Sequence, residues 1–257
     1  MEDKLTQVII QDKIKQIEVS EKIEVLYAVE SGSRAWGFAS SDSDYDVRFI
    51  YVKSKDWFLS VEKKKDTIDI LNGDYDLAGW DLKKTLELFR KSNPPLLEWF
   101  RSPIVYKQNK KFVYDFRELE SEAFDPKSCI FHYLSIAKNN YRNYIRNQKL
   151  TNFKKYFYVL RALFACQYIV ENNKIPPIEF KVLLKYMKLN KAITSEIYRA
   201  LVIKKGSIET APRRKVSIWD KFIKDSIMHY ERNAKDMTTK QPISNEKLNN
   251  LFMRYIK

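Results

Sequence analysis

Glu30 to Val52 reads ESGSRAWGFASSDSDYDVRFIYV. Just ahead of it, Val25-Leu26-Tyr27-Ala28-Val29 is short, apolar and rich in strand formers. The chain then turns through Gly32-Ser33 into Arg34-Ala35-Trp36, which can open a helix. A strand that turns through glycine into a helix aims backbone N–H groups at whatever lies beyond the turn, and the helix dipole adds positive potential there. Gly32 lets the backbone approach an anion closely, and the Ser33 hydroxyl can donate to it. Gly37 to Ser43 reads as a loop.

The segment Asp44 to Val52 alternates and favours a strand. Residues two apart on a strand share a face, so Asp44, Asp46 and Arg48 project together while Tyr45, Val47 and Phe49 point the other way. Carboxylates about 6–7 Å apart along a strand repel unless a cation lies between them. Mg²⁺ prefers a few carboxylates plus phosphate oxygens. Singly, Gly-Ser is a common turn and Asp-x-Asp a common loop end. In this order, with a strand before each, they point to a triphosphate and its cation. Arg48 reads equally as a solvated residue, a salt-bridge partner of the aspartates or a phosphate ligand. Arg34 reads as structural or as facing the triphosphate.

The run resembles the signature of the polymerase-beta-like nucleotidyltransferase superfamily, a Gly-Ser turn followed about ten residues on by Asp-x-Asp. Ser33 to Gly37, Gly79-Trp80-Asp81-Leu82, Lys91 to Trp99, Ser102 to Tyr106 and Lys154 to Leu163 further resemble the RlaP-type family, named for an RNA-repair-pathway polymerase-beta-like protein. The likeness extends to about residue 185. It implies NMP transfer from an NTP, most simply ATP, to an acceptor hydroxyl, with two Mg²⁺ ions on Asp44 and Asp46 and with Gly32 and Ser33 on the phosphates. It also implies a third acid on a neighbouring strand. Asp76 lies mid-strand in DYDLAGW, where a carboxylate is costly without a partner, and is the choice. Asp81 is the alternative, but an N-cap role before the next helix explains it as well. Asn72-Gly73 predicts a hairpin turn. The name suggests an RNA acceptor; a protein acceptor and a non-catalytic nucleotide- or RNA-binding module stay open.

Charge divides the chain. Residues 1–100 carry 15 Lys+Arg against 19 Asp+Glu, whereas the whole chain carries 47 against 33 and a net +14. The basic remainder suits a polyanionic partner; a Lys-rich genome and a solvated surface are the plain alternative. Two cysteines and two histidines make no metal-ligand pattern. No stretch suits a membrane span and no signal peptide stands out, so a cytoplasmic location is expected.

Four of the five glycines fall between Gly32 and Gly79. Beyond Pro103 the pattern turns helical. The expected fold is α+β: a small mixed or antiparallel sheet with flanking helices over residues 1–110, then an all-helical, basic, nucleotide-closing domain over 111–257. Thr6 to Ile17 is expected as a helix on the sheet. A helix capped by Ser128 should carry Phe131, Leu134, Tyr141 and Tyr144 on its packed side and Lys138, Arg142 and Arg146 on the other. A second helix starts near Asn152. The resemblance implies that Lys155, Tyr158 or Arg161 on it faces the triphosphate; burial of the tyrosine and solvation of the cations is the plain alternative.

Overall fold

The computed structural model describes residues 2–206, 213–214 and 216–257. The chain forms two compact units: Met1–Ala35, Asp44–Ala123 and Pro242–Lys257 make one, Trp36–Ser43 and Phe124–Gln241 the other. The first runs α1 (Glu2–Glu21), β1 (Glu24–Glu30), α2 (Gly32–Ala35), β2 (Tyr45–Val52), α3 (Lys55–Leu59), β3 (Thr67–Asn72), β4 (Tyr75–Asp81), α4 (Leu82–Arg90), α5 (Pro94–Trp99), β5 (Val105–Gln108) and α6 (Lys110–Ala123). Its five-stranded sheet has the order β3-β4-β2-β1-β5. β2 and β4 pair in parallel and the other neighbours antiparallel, so the sheet is mixed, as expected.

α1 places Ile10, Ile14 and Ile17 on one stripe, and these bury against Val25, Ala28, Val47 and Phe49 of the sheet. β3 and β4 join through Gly73 at φ +59°, the turn expected from Asn72-Gly73. Opposite Phe49 stands Gly79, whose missing side chain makes room: a Cβ there would lie 2.2 Å from the Phe49 ring. Trp80 stacks on Trp99 at 4.1 Å, and the Asp81 side chain accepts from the Lys84 N–H to cap α4. Thus Gly79-Trp80-Asp81 makes three separate packing and capping contacts.

α6 lies where a domain boundary was expected. Phe112 and Phe116 on it are fully buried, and Phe116 stacks flat on Phe100 at 3.9 Å. That aromatic cluster keeps residues 110–123 with the sheet.

The second unit runs α7 (Pro126–Tyr144), β6 (Leu150–Thr151), α8 (Phe153–Asn172), α9 (Phe180–Tyr186), α10 (Lys191–Lys205), β7 (Arg213–Arg214) and α11 (Ser217–Asp236). β6 and β7 pair antiparallel, so among its described residues the unit is helical apart from one short ribbon. Asp125 rather than Ser128 caps α7, accepting from the Ser128 N–H. The Trp36–Ser43 segment belongs here because Phe38 packs on Phe157 and Phe180, and the buried Lys204 ammonium donates to the Phe38 carbonyl at 2.8 Å. α12 (Asn245–Met253) returns to the first unit, where Phe252 meets Phe58 and Lys247 pairs with Glu122. The division is therefore discontinuous, where a single cut near residue 110 was expected. Among the described residues no helix is long and apolar enough to cross a membrane.

Asp81 is buried, and that burial pushes its carboxyl up to about 6 despite the Lys84 N–H. A carboxyl raised above its unfolded value of about 3.9 favours the fold most below that value, and the benefit fades as pH rises through about 6. Asp81→Asn keeps a cap acceptor and removes the titration. Its unfolding free energy from urea melts should gain on wild type between about pH 4.5 and 7.5, by on the order of 2 kcal/mol. Asp81→Ala should lose about 1 kcal/mol of cap at the lower pH. Parallel pH profiles for wild type and the Asn variant would refute this reading.

Candidate active site

The parallel pairing of β2 and β4 sets Asp46 directly beside Asp76. Both side chains are half-buried, and neither carboxylate stands alone. The Arg48 guanidinium donates to Asp76 Oδ2 at 2.8 Å and Asp46 Oδ1 at 3.2 Å, and also to the Asp76 carbonyl at 2.9 Å. Of the readings open for Arg48, the structure shows the ion-pair partner. It is the fixed cation between two like charges that would otherwise repel.

Above the pair sits the glycine turn. Gly32 has φ +59°, and a Cβ there would lie 1.9 Å from Asp46 Oδ2. Glycine is required twice, for a left-handed backbone and for the carboxylate packed against it. The Ser31 N–H donates to the Asp46 carbonyl at 2.8 Å, tying turn to strand. Ser33 is buried in α2, which is a single turn. Helix dipoles scale with aligned peptides, so this single turn adds little of the helix dipole expected there. Arg34 lies over the Tyr45 ring at 3.7 Å and donates to the Asp44 carbonyl at 3.2 Å, clamping the turn to β2. Asp44 is exposed, one residue before β2.

Sequence reasoning missed Glu30, which is 1% exposed at the end of β1. It accepts from the Asp46 N–H at 2.9 Å through Oε1 and from the Tyr106 hydroxyl at 2.6 Å through Oε2. Ser102 Oγ donates to its carbonyl at 2.6 Å, and its own N–H donates to Ile104 O at 3.0 Å. The Ser102 to Tyr106 stretch thus grips one buried acid from three sides. Burial pushes the Glu30 carboxyl up to about 7; the two donors pull it back and the Asp46 charge adds to the rise. The signal was present in Glu30 itself, a carboxylate closing an apolar strand.

Asp81 caps α4 and holds no place beside the pair, so Asp76 is the acid that register brings to Asp46. Lys155, Tyr158 and Arg161 lie on α8 of the second unit. There Lys155 lies over Tyr144 at 3.9 Å. Arg161 is buried, stacks on Trp36 at 4.2 Å and donates to the Ile178 carbonyl. Tyr158 meets Trp36 edge-on at 5.0 Å.

Among the described residues no three acidic, histidine or cysteine side chains form a group that could hold a metal ion unaided, and Asp44, Asp46 and Asp76 do not form one. The donor set fits a cation that arrives with its nucleotide. Mg²⁺ needs only one or two carboxylates when phosphates and water complete its octahedron, and Asp46 and Asp76 offer two.

A mixed sheet with an acid pair at its centre and a glycine turn against one of the acids defines a class of anion-handling site. Residues 6–254 match the RlaP family, described as the RNA repair pathway DNA polymerase beta family. The chain belongs to that family, which places it among the polymerase-beta-like nucleotidyltransferases. Over 246 residues it is 41% identical to the uncharacterized protein YcgL of Bacillus subtilis (strain 168), covering 95% of this chain and 94% of that one. A nucleotidyltransferase-like protein from Exiguobacterium sibiricum aligns with 88% of this chain and 74% of its own at 12% identity and TM-score 0.32, a likeness too slight to bear on the fold.

Gly32→Ala should displace the Asp46 carboxylate and lower the melting temperature by several degrees. Gly37→Ala, at φ +80° with open space around its Cβ, meets only the backbone cost of about 1 kcal/mol. Equal melting temperatures for the two variants would show that the Gly32–Asp46 contact carries no weight.

Proposed function

We propose that the chain transfers an NMP from an NTP, ATP foremost, to a hydroxyl of RNA. One observation carries this: Asp46 and Asp76 stand side by side on parallel strands, with the Asp46 carboxylate packed against a side-chain-free turn. A triphosphate laid on that turn would meet backbone N–H groups and the Ser33 hydroxyl through its β- and γ-phosphates. Asp46 and Asp76 would hold the divalent cations, with the exposed Asp44 supplying a further carboxylate. When bound, two Mg²⁺ ions would neutralise charge at the attacking and leaving oxygens.

The remaining work belongs to the chain. Asp76 takes the proton of the acceptor hydroxyl. That oxygen forms a bond to the α-phosphorus, the bond from the α-phosphorus to the bridging oxygen breaks, and pyrophosphate leaves. Arg48 keeps both carboxylates oriented, and Glu30 holds the Asp46 backbone. Such catalysis consists mostly of positioning and electrostatic stabilisation. The net positive charge of the chain beyond residue 100 supports a polyanionic acceptor.

Incubation with each α-labelled NTP, Mg²⁺ and either total RNA or total protein tests both halves of the proposal. Label should enter RNA. Asp46→Asn and Asp76→Asn should each lower it by at least about 10²-fold, while Asp81→Asn retains it. Full transfer by the Asp46 variant would overturn the site; label confined to protein would overturn the RNA acceptor.

A further inference from the structure

The second unit contains a groove of about 670 Å³ between α7 and α11. Along α7, Phe131, Leu134, Ser135, Lys138, Asn139 and Arg142 recur at helical spacing and line it, Arg146 continues the row, and Lys224 and Met228 of α11 face them. Phe131 was expected on the packed side of α7, yet it is 41% exposed, and Met228 is 58% exposed. An open aromatic ring and an open thioether therefore share one groove with four cations. Lys138 pairs with Glu231 outside the lining, and Arg142 donates to Asn139. Among the described residues the lining itself contains no carboxylate.

We propose that this groove binds single-stranded RNA, one base lying on Phe131 and its flanking phosphates on Lys138, Arg142, Arg146 and Lys224. The charge of the rim selects a polyanion. The apolar floor selects one whose flat faces are unpaired, because duplex bases bury their faces in their own stack. A volume within the range of about 300–1,000 Å³ that takes small ligands admits a base with its sugar and phosphate. The proposal deepens the function above by giving an acceptor strand a seat, and rests on that reading only in calling the strand an acceptor.

Fluorescence anisotropy with labelled oligo(A) and oligo(U) of about 12 nucleotides, without triphosphate, tests it. An RNA hairpin duplex of equal length and a polyglutamate peptide of equal charge are run in parallel. Arg142→Glu/Lys224→Glu should weaken single-strand binding at least tenfold and flatten its log–log salt slope by about 0.7 per lost cation. Phe131→Ala should cost about tenfold on single strands and leave duplex binding unchanged. The control Lys185→Glu/Lys191→Glu, equally charged and exposed elsewhere in the same unit, should bind nearly as wild type.

Wild-type binding by the groove variants, or an equal loss in the control, would overturn the proposal. So would polyglutamate binding that depends equally on Phe131, which would assign the groove to an acidic protein. Measured in the Asp46→Asn background, binding without transfer separates the groove from the chemistry. Groove-dependent binding beside an inactive wild type would refute the transfer reading alone.

Discussion

Two carboxylates fixed side by side repel, and the centre of the sheet is organised around that repulsion. Unit charges about 4 Å apart at an effective dielectric near 20 interact by about 4 kcal/mol. Parallel pairing of β2 with β4 makes the proximity of Asp46 and Asp76 unavoidable. Arg48, two residues on from Asp46 and on the same strand face, bridges the two acids at 3.2 and 2.8 Å and offsets their repulsion.

The turn and the acids are one construction. Gly32 yields space to Asp46 Oδ2, Ser31 bonds the Asp46 carbonyl, and Glu30 bonds the Asp46 N–H. Three consecutive residues therefore hold one aspartate by its side chain, carbonyl and amide. Glu30 is itself held by Ser102, Ile104 and Tyr106 at the far edge of the sheet. A shift of β5 would travel through Glu30 to Asp46, so the geometry of the acid pair and the stability of the sheet are coupled.

Local chemistry made much of this readable. Alternation placed Asp46 and Arg48 on one face, and Asn72-Gly73 announced the hairpin; Asp76, read as mid-strand, lies second in β4, where the parallel register sets it beside Asp46. Asp81 before a helix was readable as a cap. What escaped depends on contacts distant in sequence. Glu30 looked like a strand end until Tyr106 and Ser102 came to it. α6 hid in a presumed linker, although Phe112 and Phe116 one turn apart marked a buried face. Phe38 and Lys204, well over a hundred residues apart, draw the loop after the glycine turn into the helical unit, and no local pattern announces that. Phe131 was assigned to a core by its apolarity, while helical phase alone could not say which neighbour would leave it open.

The role we propose for this acid pair is to receive a metal-bound triphosphate beneath the glycine turn. Calorimetric titration of a non-hydrolysable NTP analogue, with Mg²⁺ and then with a chelator, reads it directly. Binding should require Mg²⁺ and be abolished by Asp46→Asn/Asp76→Asn in a variant whose circular dichroism still shows the fold. Equal affinity in chelator, or in the doubly neutralised variant, would contradict it.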